Sequence, residues 1–313
     1  MTRAPSRDLI ERLQRLRAMF VDDARGERAL ADYWRSDADL AAYDAVLGAR
    51  IGWKWDAALA ECAERGFARA DADVVLDHGC GSGIAVRRFA ARFGAREVLC
   101  HDRSAKAMAF AVRSLQGSGV AARAVRDVAS LSPDVLLVSH VLGELDAEGE
   151  RALRDLIGRS RRVVIVEPGS KAVARRLAGV RDAMVGTFRV IAPCVHAGRC
   201  PTLGNERDWC HFFAPPAPEA FTDGDWVRVQ RELGLDARAL PYSFLALARE
   251  AADAPSPAPV HRVIGRPDHG AHVTKVQVCD GNGLRTAEVH KRTHAALWRA
   301  LKKDPESIRS LPR

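Results

Sequence analysis

The feature that most constrains the fold is a short apolar run, residues 74–76, which is followed after Asp77 and His78 by three glycines at alternate positions. These glycines are Gly79, Gly81 and Gly83. Glycines at this spacing let the backbone turn sharply after a strand and approach a ligand at the N-terminus of the next helix. The run therefore predicts a strand, a tight loop and a helix, although a purely structural turn could use the same residues.

Short apolar strands alternate with helix-length stretches along the middle of the chain. The predicted strands cover residues 73–77, 97–100, 134–138 and 162–166. Continuous apolar strands separated in this way indicate a parallel sheet that is covered by helices on both faces. We therefore predict an α/β fold.

Composition and the positions of proline-rich and turn-forming stretches suggest four regions. We expect a helical extension over residues 1–70, a Rossmann-like core over 71–190, a cysteine-rich insertion over 191–215, and, over 216–313, strands and a helix that complete the sheet and the metal site. Proline-rich stretches at residues 214–218 and 254–259 interrupt regular structure. Near the C-terminus, residues 280–283 predict a turn between two strands.

Two acidic residues extend the pattern of the glycine loop. Asp102 follows Gly83 by nineteen positions, which suits a carboxylate that accepts the hydroxyls of a ribose. The Asp-x-Gly-x-Gly-x-Gly form resembles class I methyltransferases that use S-adenosylmethionine (SAM). That resemblance implies that Asp77 and the loop hold the methionine moiety, that Asp102 holds the ribose and that Asp127 meets the adenine.

Polar residues also follow the predicted strands at residues 134–138 and 162–166, where open parallel sheets keep their active sites. His140 and Glu144 are spaced to share one face of a helix, and Glu167 follows residues 162–166. Each is a candidate general base or substrate anchor, but a helix cap and a surface carboxylate fit equally well. The sequence therefore leaves the catalytic residues unknown.

Three of the seven cysteines lie within seventeen residues, and a fourth follows much later in the chain. Thiolates this close in a reducing compartment bind metal more often than they form disulfides. The expected ligands are Cys194, Cys200, Cys210 and Cys279. Their open spacing favours a [4Fe-4S] cluster over zinc, which prefers short Cys-x2-4-Cys pairs. His196 and His211 offer a Cys3His zinc alternative, and unliganded thiols are the third.

The net charge of +8 is unevenly distributed. Residues 256–313 carry +6 and residues 170–215 carry +4, so the rest of the chain sums to about −2. A basic C-terminal half is typical of a protein that binds a polyanion such as RNA, and an Arg-rich coding bias is the alternative explanation. No apolar run is long enough to span a membrane and the N-terminus has no secretory core, so we expect a cytoplasmic protein.

A series of motifs in fixed order resembles the Rsm22 family, from about Ala70 to Lys303. The motifs are residues 75–81, 141–145, 167–169, 193–201, 208–212, 242–245 and 262–264, and a strand that ends in Cys279. The mitochondrial members of the family are methyltransferase-like proteins that act in assembly of the small ribosomal subunit. Val195 stands where the family usually has proline, and His78 where it often has an aromatic or small residue.

The resemblance implies that the four cysteines ligate a [4Fe-4S] cluster and that the protein binds small-subunit ribosomal RNA. We therefore expect a monomeric, SAM-binding, methyltransferase-like protein that acts on this RNA or in assembly of the small ribosomal subunit. One alternative is a non-catalytic RNA-binding assembly factor. The other is a zinc-bearing methyltransferase of a small molecule or protein.

Overall fold

The structure is a computed structural model and describes residues 7–21, 34–67, 74–238, 240–249, 261–303, 308–309 and 311. The proline-rich stretch at 254–259 lies outside the described residues. The chain forms two compact units. The first comprises Met1–Leu59, Arg69–Arg161 and Pro215–Leu240, and the second comprises Ala60–Ala68, Arg162–Ala214 and Pro241–Arg313.

The first unit contains four parallel strands in the order β3-β2-β1-β4. Along the chain they are β1 (Val74–His78), β2 (Glu97–His101), β3 (Ala122–Ala124) and β4 (Val135–Ser139). The three middle residues of β1 and of β2, and four of the five in β4, are buried. Apolar side chains on both faces of a strand are what a parallel sheet covered by helices requires. The parallel α/β architecture predicted from the sequence is therefore confirmed in this unit.

Helices connect these strands, and local residues set where each helix begins. They are α4 (Ile84–Phe93), α5 (Ala105–Gly117) and α6 (Ala147–Arg159). The Ser104 hydroxyl caps α5, and the Asp146 carboxylate caps α6 by accepting the N–H of Gly149. The loop after β4 holds only a short 3-10 turn, Leu142–Glu144.

The remaining elements of the N-terminal part are helical. They are α1 (Arg7–Val21), α2 (Asp37–Tyr43), a π-helical segment (Asp44–Gly48) and α3 (Ala49–Glu64). Two later helices, α8 (Glu219–Thr222) and α9 (Gly224–Leu233), belong to the first unit, whereas the end of α3 from Ala60 onwards belongs to the second. Leu13 of α1 packs in one apolar cluster with Val229 and Leu233 of α9.

The second unit has an antiparallel group of strands around a central β8. The strands are β5 (Arg162–Pro168), β6 (Arg189–Ala192), β7 (Phe212–Phe213) and β8 (Pro241–Ala248). α7 (Lys171–Met184) follows β5, and a 3-10 turn, Pro201–Gly204, precedes β7. Seven of the eight residues of β8 are buried, and the sequence analysis expected strands in this region without giving the bounds of this one.

A separate three-stranded antiparallel sheet completes the second unit, in the order β11-β10-β9. Its strands are β9 (His261–His269), β10 (Val273–Asp280) and β11 (Gly283–His290), and α10 (Ala295–Lys303) follows them. Trp298 and Leu301 of α10 pack against the buried valines of this sheet. The turn predicted at residues 280–283 connects β10 and β11.

Within the described residues, no helix is both long enough and apolar enough to cross a membrane.

Candidate functional site

The loop after β1 can be built only with glycine at its key positions. Gly79, Gly81 and Gly83 all have positive φ, at 76°, 50° and 78°. A side chain at Gly79 would place its Cβ 2.4 Å from Cγ2 of Val141. The N–H groups of Gly79 and Cys80 both donate to the carbonyl of His101, at 2.8 and 2.9 Å. These bonds tie the loop to the end of β2.

Asp102 braces the same loop. Its Oδ2 accepts the N–H of Gly81 at 2.9 Å, and its Oδ1 accepts the N–H of Ser104 at 2.9 Å. Burial raises the pKa of Asp102, and these two backbone hydrogen bonds partly oppose the rise. The residue predicted to hold a ribose therefore lies beside the glycine loop, and it also holds the loop in shape.

Asp77 is fully buried at the end of β1. Burial and then the charge of Asp102 raise its pKa to about 7, while the N–H of Val86 partly opposes the rise. Within the described residues, neither of its oxygens accepts a hydrogen bond at 3.5 Å or less. A buried carboxyl group of this kind is costly unless a ligand satisfies it.

Further buried polar atoms surround the loop without a hydrogen-bond partner in the described part of the chain. They are Nδ1 of His78, Oγ of Ser82, Nδ1 of His101 and Nε2 of His140. The rings of His78 and His101 stack with centroids 4.7 Å apart, and burial lowers the pKa of His78 to about 4. So many unsatisfied polar atoms around one loop fit a polar ligand such as SAM.

A concavity of about 270 Å³, including its open mouth, adjoins the loop. Its lining combines the loop and β4 with two side chains from the N-terminal helices, Tyr43 and Ile51. The sequence did not assign Tyr43 or Ile51 to a site, because their helical spacing also fits a buried core face. Asp44, next to Tyr43, forms an ion pair with Arg87 of α4.

Asp127 lies three residues beyond β3 and is exposed. Its Oδ1 accepts the N–H of Ala129 at 2.8 Å. β3 ends at Ala124, so Asp127 lies in the loop that follows this strand. Its contact with an adenine stays a prediction.

The catalytic candidates do not share one helix. His140 has a φ of 57°, and the 3-10 turn that contains Glu144 begins only at Leu142. Burial, and then the charge of Lys54, lowers the pKa of His140 well below its usual value. Glu167 lies fully buried in β5 of the second unit, opposite Ser243 of β8. Because His140 has a left-handed backbone conformation, it does not continue into a helix with Glu144, and the predicted shared helical face does not form.

The four cysteines of the expected metal site belong to the second unit. They are Cys194, Cys200, Cys210 and Cys279. Burial raises the pKa of Cys210 well above its usual value, and the other three cysteines raise it further by their charge. Burial raises the pKa of Cys279 to about 12, with contributions from Cys194 and Cys200. Within the described residues, however, no three His, Cys, Asp or Glu side chains are arranged to hold a metal ion.

Two of the cysteine sulfurs contact neighbouring polar side chains. Sγ of Cys279 lies 3.6 Å from Nε2 of His196, and Sγ of Cys200 lies 3.2 Å from Oγ1 of Thr202. His211 instead stacks on Trp209, with centroids 4.7 Å apart. Of the two histidines considered as zinc ligands, it is His196 that contacts a cysteine sulfur.

Two arginines bind the backbone around Cys194. Arg65 donates to the carbonyls of Pro193 and Cys194, at 2.7 and 2.6 Å. Arg181 of α7, which is only 3% exposed, donates to the carbonyl of His196 at 2.6 Å. Both arginines oppose the rise that burial causes in the pKa of Cys194. The sequence did not predict these contacts because they join segments far apart in the chain.

The parallel order of β3-β2-β1-β4, the glycine loop after β1 and the carboxylate after β2 together define a Rossmann-like domain of the class I methyltransferase type. The particular family follows from the whole sequence. The profile described as mitochondrial small ribosomal subunit Rsm22 matches residues 57–305. The chain therefore belongs to the Rsm22 family, as its motifs indicated.

Several solved structures resemble the chain. A Thermoplasma acidophilum protein, 1320, is 18% identical with a TM-score of 0.38, over 77% of this chain and 95% of the other. TrmK of M. capricolum, with S-adenosyl-homocysteine, is 7% identical with a TM-score of 0.36, over 61% and 68%. The plantazolicin methyltransferase BamL is 13% identical with a TM-score of 0.42, over 78% and 98%. No curated protein matches the sequence.

Proposed function

We propose that this protein is a SAM-binding, methyltransferase-like protein that acts on small-subunit ribosomal RNA, or in assembly of the small ribosomal subunit. The proposal places it in the cytoplasm as a monomer that meets the ribosomal subunit there. Its membership of the Rsm22 family supports the ribosomal partner.

The observation that carries the proposal is the division of charge between the two units. The second unit has 21 Lys and Arg side chains against 13 Asp and Glu, a net charge of +8. The first unit has 27 of each sign and sums to zero. A general bias towards arginine in the coding sequence would make both units equally basic. The concentration of positive charge in the second unit therefore indicates that this unit binds a polyanion.

In this proposal the first unit binds SAM. Asp77, the loop of Gly79, Gly81 and Gly83, and Asp102 would hold it, with Asp127 near the adenine. SAM supplies an electrophilic methyl group when bound. Methyl transfer of this kind is a displacement, so the contribution of the chain is to align the reactants and exclude water. The unsatisfied buried atoms around the loop support this assignment.

The proposal also assigns a [4Fe-4S] cluster to Cys194, Cys200, Cys210 and Cys279. The thiols of Cys194, Cys210 and Cys279 support it, because neighbouring cysteines raise their pKa values and a bound metal would relieve that repulsion. The donor set suits iron–sulfur chemistry, and Arg65 and Arg181 would offset its negative charge. Zinc on the same thiols, or with His196, is the competing assignment.

One observation favours the second candidate, a non-catalytic RNA-binding assembly factor. Even with its open mouth included, the concavity beside the glycine loop measures only about 270 Å³, so its enclosed space falls below the roughly 300–1,000 Å³ of typical ligand pockets. Tyr43 and Ile51 form part of its wall. Binding of SAM would therefore require these side chains to move.

Titration of the full chain with SAM, with and without small-subunit ribosomal RNA, distinguishes the two candidates. Saturable SAM binding that an Asp102→Ala variant loses is the expected result. RNA binding without SAM binding would leave only the assembly factor. Absence of RNA binding would overturn the proposal as a whole.

Anaerobic purification tests the metal. An iron–sulfur protein is brown with broad visible absorbance, which Cys279→Ala should remove. A colourless protein with stoichiometric zinc would replace the iron–sulfur assignment by the zinc alternative.

A further inference from the structure

Aromatic side chains alternate along the segment that contains Cys210. Trp209, His211 and Phe213 are each partly exposed, whereas Phe212 is buried. Alternate residues of an extended segment point to opposite sides. The three partly exposed rings thus share one side, opposite Cys210 and Phe212.

These rings form a continuous ladder that ends in an arginine. The centroids of Trp209 and His211 are 4.7 Å apart with an interplanar angle of 15°. His211 and Phe213 follow at 5.5 Å with an edge-to-face angle of 71°. Cζ of Arg266 lies 4.1 Å from the centre of the Phe213 ring. We call Trp209, His211, Phe213 and Arg266 the aromatic ladder.

The surrounding backbone holds the ladder in position. Nε1 of Trp209 donates to the carbonyl of Gly169 at 2.9 Å, and the N–H of Gly265 donates to the carbonyl of His211 at 2.8 Å. A Cβ at Gly265, whose φ is 66°, would lie 3.3 Å from Cε1 of His211. The glycine therefore leaves room for the His211 ring. Rings fixed before binding lose little freedom when a ligand stacks on them.

The ladder belongs to the unit that carries the +8 charge, and Arg266 is exposed. Partly exposed aromatic rings beside arginine are the surfaces on which proteins stack unpaired nucleic acid bases. From the ring geometry and the charge, we infer that the aromatic ladder is a stacking platform for unpaired bases of RNA. This inference rests on the proposed RNA-binding function and names the site within the second unit that contacts single-stranded RNA.

Fluorescence anisotropy with the full chain and a labelled oligoadenylate tests the platform. Trp209→Ala should weaken binding about ten- to hundredfold, because one base loses its stacking partner. Trp209→Phe should retain most of the affinity, since it keeps a ring but removes the indole donor. Phe221→Ala is the matched control, because Phe221 is a 50% exposed aromatic residue in the first unit.

A fully paired RNA of the same length provides the second comparison. Its bases cannot stack on the ladder, so Trp209→Ala should leave its affinity unchanged. If wild type binds the oligoadenylate and Trp209→Ala and Phe213→Ala bind it equally well, the platform is refuted while the RNA-binding function stands. If wild type binds neither RNA, the proposed function itself fails. Equal weakening for paired and unpaired RNA would also refute the platform, because an effect that paired bases share does not come from stacking on the rings.

Discussion

Asp77 shows how a single carboxyl group makes the stability of the first unit depend on pH. Its pKa rises from 3.8 to about 7 on folding. Between these two values the folded state holds a proton that the unfolded state has released. The free energy of unfolding therefore falls as pH rises from about 4 to about 7, by up to ~4 kcal/mol.

Replacement of Asp77 by Asn should remove this dependence, because the amide does not titrate. Between mildly acidic and mildly alkaline pH, chemical denaturation of Asp77→Asn should show a smaller fall in the free energy of unfolding than wild type shows, and the alkaline value should exceed that of wild type. Asp37→Asn is the control, since the Asp37 side chain is 64% exposed. A pH slope in Asp77→Asn as steep as that of wild type would contradict the assignment.

The same carboxyl group links proton release to the proposed binding of SAM. The ammonium of the methionine moiety interacts more favourably with ionised than with neutral Asp77, so binding near neutral pH should release protons. Calorimetric titration in two buffers of different ionisation enthalpy measures this release. Binding that releases no protons in wild type, or as many in Asp77→Asn as in wild type, would show that Asp77 does not titrate with the ligand.

At the scale of elements, the connection from β1 to α4 depends on a glycine that has both special backbone geometry and no room for a side chain. Gly79→Ala should destabilise the protein for both reasons, because Cβ would meet Val141 at 2.4 Å and φ is 76°. Gly119 is a matched control, with a φ of 77° and open space around it. We expect a cost of ~1–2 kcal/mol for Gly119→Ala and roughly 1–3 kcal/mol more for Gly79→Ala.

Thermal and chemical denaturation of both variants measure these costs. Equal destabilisation of the two variants would show that Val141 moves aside easily and that only the backbone conformation matters. The double variant Gly79→Ala/Val141→Ala should regain the stability that is lost to the clash with Val141, but not the stability that is lost to the backbone conformation.

The same elements explain what the sequence could predict. The strand at residues 74–78 and the loop after it follow from local chemistry, because alternate glycines and an apolar run determine nearby backbone geometry. The placement of Tyr43 beside that loop depends on packing between segments distant in the chain. The bounds of β8 were not predicted, because its apolar run lacks the strand–helix alternation that marked the other strands. The helical spacing of His140 and Glu144 failed because one residue adopts a left-handed conformation.

At the scale of the whole molecule, charge and chemistry are divided between the units. The glycine loop lies in the unit with no net charge, and the four cysteines and the aromatic ladder lie in the unit that carries +8. Nucleic acid binding that depends on phosphate contacts weakens as salt increases, because each contact releases bound counterions. The two units should therefore contribute very differently to the salt dependence of RNA binding.

Two matched triple variants test this difference. Lys275→Gln/Arg285→Gln/Arg292→Gln removes three exposed charges from the second unit, and Arg7→Gln/Arg113→Gln/Arg123→Gln removes three from the first. For the second-unit variant, the slope of log K against log salt should become shallower by about 1 for each phosphate that no longer meets a cationic side chain. The first-unit variant should keep the wild-type slope, although its net charge changes equally. Equal changes in both variants would mean that overall charge, and not a basic surface of the second unit, attracts the RNA.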